Sequence, residues 1–525
     1  ARRPSFTLRG QLTFNATIGR HGLALMAGGE MSQDRTMVQR FRTYGMDPEV
    51  LTFSQVDFTA RYPQYATGAL GLIPNNQAML ERTNRFVSAY FNGSYTYLGR
   101  YTFSASARRD GSNLFGVLPN NRFNPLGSLG LKWNLGAERF FKAGWVDGLQ
   151  LKGTLGISGN TDQNRSAYAT LAFPASSPYT NTPYAQIGSF ANPELRWERV
   201  MMLNLGADFS LLKGRIAGSA AYYRKTARDL FGRAQIDYTG GAGESIIKNV
   251  GRMTGSGLEL ELRTKASFLG IDWEAGLDLT RYRDKVTAYY NPNTDGSAFV
   301  GKEIPVVTGL VGKPVFGVFS YRWAGLDPLT GDPVGILAGA ESKDYNAIIG
   351  RGTSIDQLVY HGSAMPTLFG NFRHTFSYGN FSLTAVLNYK LGYFFTKRSI
   401  SYNSLYNSRT GHSDFSRRWQ KPGDEQFTQV PSMVYPENAS RDAFYARSEV
   451  NVISGDHLRL QYLSMGWSLA KQRQRWLPVH TASLQLNMNN LGILWRANSH
   501  GVDPDYPIGS LTNPFNVAIG LKTNF

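Results

Sequence analysis

Glu259 and Glu261 stand two apart in "GLELEL". On an extended strand such neighbours share a face roughly 6.5–7 Å apart. That is within the separation an inverting glycosidase keeps between its acid and its base. The plainer reading, polar lining of a barrel interior, is preferred. "DPLTGD" (327–332) offers Asp327, Asp332 and carbonyls to Ca²⁺, but two carboxylates are too few, and an Asp-Pro/Gly-Asp turn accounts for them. The seven His, at 21, 361, 374, 412, 457, 480 and 500, show no i,i+4 pair and have no Cys companion. Metal chemistry is therefore not expected. "GISGN" misses the spacing of a nucleophile elbow, and "TGSGLEL" lacks the third Gly and following helix of a phosphate loop. No catalytic set, metal site or cofactor emerges.

Aromatic side chains in long connecting segments are the remaining chemistry. Tyr289, Tyr290, Phe316, Phe319, Tyr321, Trp323, Tyr393 to Phe395, Tyr402 and Tyr406 could stack on sugar rings, anchor peptides or dock a partner. They could equally form an interfacial aromatic girdle. In "RRDGSNLFG" the Asp110-Gly111 pair reads as a turn, with Arg108 and Arg109 at headgroup level or paired with Asp110.

The elements that must position these residues are strands. Gly numbers 56, Tyr 28 and Phe 31, while only 18 % of residues are charged, a balance that favours an all-β protein. There is no run of 18 apolar residues for a spanning helix. The absence of Cys excludes a disulfide scaffold, thiolate metal sites and a lipid-bearing Cys on this chain. The formal charge of +17 is spread along the chain with no basic run of five, so nucleic acid is not expected as a partner. A solvated or headgroup-facing surface accounts for it, and a lumen or loops attractive to anions remain open.

Period-two alternation recurs throughout. Val87, Ala89, Phe91, Tyr95 and Tyr97 alternate with Ser88, Asn92, Ser94 and Thr96; "LGR" then turns the chain into Tyr101, Phe103, Ala105 and Ala107. Leu258, Leu260 and Leu262 face away from Glu259, Glu261 and Arg263, and "FLG" leads into Ile271, Trp273, Ala275 and Leu277. From Phe515 to the final Phe525 the alternation is unbroken. These are hairpins with one apolar and one polar face.

A soluble sandwich also alternates. Here, however, the segments run about ten residues or more, the length that crosses a membrane's apolar band as a tilted strand. Short connections lie near 18–22, 98–100, 136–148, 212–214, 268–270, 378–380 and 470–478. Long ones lie near 34–83, 109–124, 159–198, 229–254, 286–365, 394–455 and 491–513. Strict alternation of short turns with long outer loops is the habit of outer-membrane barrels. The expectation is a single all-β domain over 1–525, a transmembrane antiparallel β-barrel portion of about 15 strands. Phe525 then ends a strand descending to the periplasm and serves as the barrel's assembly signal. Strand 5–17 also descends, which leaves the barrel open and makes this a C-terminal piece. "ARRPSFTLRG" already alternates as a strand and does not show the charged-then-apolar pattern of a signal peptide.

Quoted in order, "RRDGSNLFG" (108–116), "LQLKGTLGISGN" (149–160), "NPELRWERVMMLNLGADF" (192–209), "NVGRMTGSGLELEL" (249–262), "GKPVFGVFSYRWAGLDPLTGDP" (312–333), "AMPTLFGNFRHTFSYGNFSL" (364–383), "LNMNNLGIL" (486–494) and "GVDPDYP" (501–507) resemble the SusC-like TonB-dependent transporters of Bacteroidetes outer membranes. The resemblance implies a barrel of about 22 strands, an even number as in other such barrels, of which strand 5–17 would be the eighth. It also implies an N-terminal plug absent from this chain, a SusD-like surface lipoprotein as lid, and energy supplied through TonB. The implied function is import of an oligosaccharide or peptide, without covalent chemistry or cofactor. Its partners are an N-terminal plug and barrel fragment, the lid, TonB, and outer-membrane lipid and lipopolysaccharide. The alternative is a transport-inactive scaffold subunit of a larger outer-membrane assembly. A hydrolase reading would stand or fall on Glu259→Gln.

Overall fold

The computed structural model describes residues 2–524 apart from 66–67, 115–122, 163–166, 173–181, 183, 236–238, 240–244, 291–294, 302–306, 471–477 and 507–511. Phe525, the expected assembly signal, lies outside the described residues. Fifteen strands form one antiparallel sheet in which every strand pairs with its neighbours in sequence order. They are β1 Ser5–Ile18, β2 His21–Arg40, β3 Ala78–Tyr97, β4 Tyr101–Ser112, β5 Phe123–Asn134, β6 Val146–Asn160, β7 Glu198–Leu211 and β8 Ile216–Gln235. The second half comprises β9 Ser245–Phe268, β10 Ile271–Tyr289, β11 Leu368–Tyr378, β12 Phe381–Leu391, β13 His457–Ala470, β14 Thr481–Arg496 and β15 Asn516–Asn524. Such a meander needs tight reversals at one end. Leu269 and Gly270 supply one: both have positive φ, 51° and 79°, and Phe268 pairs directly with Ile271 across them. That is the two-residue geometry whose twist matches the flanking strands.

Register lines up the alternation across the whole sheet. Leu12, Ala27, Phe91, Ala107, Gly127, Ile157 and Met201 form one row over β1 to β7. Ile271, Tyr378, Phe381, Trp467, Leu484 and Leu521 form another over β10 to β15. The opposite face carries Glu274, Thr375, Thr384, Ser464 and Asn487 in one row, with Thr375 and Thr384 hydroxyls 3.0 Å apart. The apolar rows are exposed, Leu12 by 80 % and Leu521 by 73 %, as is Ile519 on the same face of β15. Each large apolar side chain left in water forfeits about 1.5–3 kcal/mol of burial. Isolated exposures are normal, but continuous rows require an apolar solvent or partner.

The buried apolar cores of the described residues lie instead in the long connections. Phe299, Val300, Phe319, Tyr321, Tyr345, Ile348, Leu358 and Phe444 form one cluster; Ile400, Tyr402, Val430 and Tyr445 form a second. A third joins Leu114, Ala167, Leu195 and Trp197.

Two expectations need correction. Strands run further into the connections than the alternation implies: β2 and β3 stay paired to Arg40 opposite Ala78, and β8 and β9 to Gln235 opposite Ser245. Backbone pairing continues where neighbouring apolar residues, Met37 and Val38 with Met79 and Leu80, Leu230 and Phe231 with Ile246 and Ile247, fall on both faces, so the apolar period fades before the ladder does. Asp110-Gly111 is no turn either. Both lie in β4, opposite Ser88 and Val87 on β3. The Arg108 guanidinium donates to the Asp110 carboxylate at 2.6 Å, two residues along the same strand face. Side-chain pairing thus replaces the Asx-turn bond that the dipeptide suggests. Arg109 lies 4.7 Å from the centroid of the Phe123 ring.

Candidate functional site

Connections 290–367 and 392–456 fold onto one another at the long-loop end of the sheet. Three short helices organise them. α1, Tyr345–Ile349, is capped by the Asp344 side chain, which accepts from Ala347 N. α2, Tyr402–Ser408, is capped by Ser401, and α3, Ala439–Ala446, by Asn438. Each cap satisfies an amide that helix geometry leaves without a partner. Phe444 of α3 is the hub. Its ring centroid lies 6.2 Å from that of Tyr321, 6.3 Å from Trp323 and 5.7 Å from Tyr345.

This packing divides the aromatic residues expected to meet a ligand or lid. Tyr321 is 1 % exposed and Tyr402 2 %, and Tyr393 and Phe319 are also buried. They hold the loops together and present no face for stacking, which corrects the expectation that they could meet a ligand or partner. The Tyr402 hydroxyl donates to the Pro431 carbonyl at 2.6 Å, and burial pushes its pKa up to about 12. Trp323 is half-buried between Phe444 and Tyr445. Phe316, Phe394, Phe395 and Tyr289 are half-buried as well. Tyr290 is exposed, with Arg252 over its ring. Tyr406 meets Tyr435 edge to face at 5.2 Å, and Tyr435 is 77 % exposed. Sequence reasoning missed Tyr435, although the apolar strip Met433, Val434, Tyr435 between Pro431 and Pro436 was a signal for it.

Charge pairs fix the frame. Arg441, on α3, donates to Asp332 at 2.8 Å and to the Ser432 carbonyl at 2.9 Å. Lys343 bonds Asp327 and stands 3.7 Å from Asp332. The Lys343 bond, with amides of Leu329 and Thr330, holds the Asp327 carboxyl well below the usual range. Both carboxylates of "DPLTGD" are thus committed to cations of the protein, as a turn requires and a Ca²⁺ site does not. Glu261 pairs with Arg263 at 2.9 Å on the polar face of β9, and Glu259 stands on the same face, opposite Thr280 of β10.

The last long connection, 497–515, is anchored at Asp505. Lys390 of β12 lies 2.5 Å from its Oδ1; His457 and Arg459 of β13 lie 3.2 and 3.0 Å from its Oδ2. Arg459 also reaches Asp503 at 2.5 Å. Burial pushes the Asp505 carboxyl up, but the bonds from His457 and Lys390 outweigh this and hold it well below the ordinary range.

Between the loops lies a cavity of about 430 Å³ lined by Lys397, Arg398, Arg447 and His412 together with Ser and Thr hydroxyls. Sequence inspection gave no sign of it, because Gly301, 396–412 and 446–447 are far apart in the chain. Among the described residues no group of three or more His, Asp or Glu could hold a metal ion.

Comparison with known proteins points in one direction. The family model described as TonB dependent receptor-like, beta-barrel matches residues 2–391. TonB-dependent receptor P26 of Formosa agariphila is 24 % identical over 98 % of this chain and 52 % of its own length. TonB-dependent receptor SusC of Bacteroides thetaiotaomicron is 29 % identical over 41 % of this chain and 22 % of its own length. The RagAB peptide importer in its "open-open" state superposes over 100 % of this chain and 54 % of that one, with TM-score 0.73 and 19 % identity, a likeness of fold. The chain spans about half the length of the first of these relatives.

Proposed function

Because the chain belongs to the TonB dependent receptor-like β-barrel family, a receptor and transporter class without enzymatic activity, we propose that it is the C-terminal part of a SusC-like barrel importing an oligosaccharide or peptide across the bacterial outer membrane. One observation carries this reading: exposed apolar rows run along one face of a fifteen-strand antiparallel meander while the opposite face is polar. Lipid or lipopolysaccharide on the first face and water on the second satisfy both.

The remaining strands and the plug that close such a cylinder come from the rest of the protein. The short turns then lie in the periplasm, and the folded long connections form an extracellular platform for a SusD-like lipoprotein. Import is enclosure of the ligand between platform and lid, release through movement of the plug, and energy from TonB. The chain's own residues bind and orient; no bond is made or broken. The polar sheet face and the packed Phe444-centred loop core supply a frame against which lid and plug can move.

The test is uptake by cells expressing the full-length protein, with and without TonB, across a panel of oligosaccharides and peptides. Uptake that disappears with TonB is the expected result. Solubility of the purified protein without detergent, or membrane insertion with no TonB-dependent uptake of any panel member, would refute the assignment; in the second case a scaffold role is left.

A further inference from the structure

The face that carries the apolar rows changes character toward the long-loop end of β7 to β10. Nearer the short turns, Ala207, Ala220, Leu260 and Leu279 form one apolar row. In the next row Leu205, Tyr222 and Leu258 lead to Arg281, and in the row after it Leu203 leads to Arg224, Ser256 and Arg283. Met201, Thr226, Thr254 and Lys285 follow, and Arg199 then stands directly opposite Arg228. All six cations are exposed. The register spreads them over about 14 Å across the strands and about 20 Å along them.

Among the described residues, none of these six side chains makes an ion pair or a hydrogen bond. Like charges placed directly opposite, as Arg199 and Arg228 are, destabilise a strand pair unless an anion joins them. The neighbouring carboxylates do not supply that anion. Glu198 and Asp284 stand on the polar face, where Glu198 accepts from Phe231 N and Asp284 from Val315 N, each at 2.8 Å. Asp229 pairs with Arg196 at 2.6 Å, and that couple carries no net charge.

The height of the patch narrows its partner. Arg281 follows Ile271, Trp273, Ala275, Leu277 and Leu279 on one face of β10. At about 3.4 Å per residue and a tilt of about 40°, the climb from Ile271 to Arg281 is the length at which a strand leaves an apolar band about 25 Å tall. The cations therefore begin at the level of outer-leaflet headgroups. They are also local: the row of Arg281 continues with Leu368 and Leu391 on β11 and β12, whereas on β2 and β3 Arg35 is paired with Glu81. A general headgroup belt would recur on every strand.

We propose that this patch docks the phosphate groups of a phosphorylated glycolipid of the outer leaflet, lipopolysaccharide, whose acyl chains lie along Leu205, Leu258, Leu260 and Leu279. Guanidinium forks match phosphate oxygens two at a time, and the Thr226, Thr254 and Ser256 hydroxyls between them are further donors. Several rows of cations suit phosphates on more than one sugar, which the single phosphate of a glycerophospholipid does not supply. The inference rests on the membrane-barrel reading.

The test is native mass spectrometry of the full-length protein in neutral detergent with bisphosphorylated lipid A, dephosphorylated lipid A or phosphatidylglycerol. Bisphosphorylated lipid A should be retained about tenfold better than the dephosphorylated form, and Arg224→Gln with Arg283→Gln should remove about that factor. Lys225→Gln, the next residue of β8 but on the opposite face, should change nothing. Equal retention of the two lipid A forms, or retention indifferent to the double variant, in a protein that needs detergent would overturn the site and spare the barrel reading. Phosphatidylglycerol held as well as bisphosphorylated lipid A would overturn the glycolipid as occupant. A double variant that loses the purified lid lipoprotein but keeps lipid A would make the patch a protein interface and overturn the proposal. A protein soluble without detergent would remove the barrel reading and the site with it.

Discussion

Arg441, 4 % exposed on a helix of one long connection, donates to Asp332 of the other at 2.8 Å across a distance of 109 residues in sequence. The pair fastens connection 392–456 to connection 290–367, and the Ser432 carbonyl accepts a further guanidinium hydrogen bond at 2.9 Å. Nothing in the sheet does this work, because the sheet pairs only neighbours.

Removing Arg441 leaves the half-buried Asp332 carboxylate with Lys343 as its remaining cation. Arg441→Met should therefore destabilise the loop platform by about 1–3 kcal/mol. Hydrogen exchange should rise across 327–342 and 439–447 while the strand ladder stays protected. Unchanged exchange there would mean that the aromatic cluster around Phe444 suffices alone.

The Asp505 anchor is pH-dependent with a definite sign. A carboxyl held below its ordinary value stabilises the fold above the unfolded pKa of about 3.9 and loses that contribution as pH falls through the folded value. Protection factors in connection 497–506, with the intrinsic exchange rate at each pH divided out, should be lower at about pH 3 than at about pH 7. Asp505→Asn should abolish most of that difference and loosen the connection at neutral pH.

The two faces of the sheet should tolerate charge differently. Ile519→Lys, in an apolar row, should cost about 2–4 kcal/mol near the bilayer midplane and impair assembly. Asn487→Lys, on the polar face of the neighbouring strand, should be tolerated. Heat-modifiable migration on gels reads both. Equal tolerance would contradict lipid on the apolar face.

Exposed and buried loop aromatics should separate cleanly. Tyr435→Ala and Tyr406→Ala should weaken lid association, each by up to about 2 kcal/mol if the pair is an interface hot spot. Tyr402→Phe should leave lid affinity unchanged and instead lower loop stability by about 1 kcal/mol, the net worth of its bond to Pro431. Titration of purified lid lipoprotein against the full-length variants distinguishes these outcomes.

How much of this was legible in advance depended on the range of the interactions. Strand alternation is a local, period-two property, so Val87 to Ala107 or Leu258 to Leu279 could be read as hairpins from the residues alone. Fifteen such strands, their sequence-neighbour pairing and their two contrasting faces follow from it. The ordered loop segments likewise pointed to the family. What the sequence could not decide was which loop aromatics are interior. Tyr321, Tyr393 and Tyr402 have the same composition around them as Tyr406, and only packing against Phe444, His457 and Pro431 buries the first three. Asp110-Gly111 carries a turn's chemistry, yet the ladder to Ser88 and Val87 overrides that local preference. The cavity at Lys397 and Arg447, like the fastening of Arg441 to Asp332, joins residues with no periodic relation. Burial and charge pairing between distant segments are properties of the folded chain, and the tertiary structure alone could assign them.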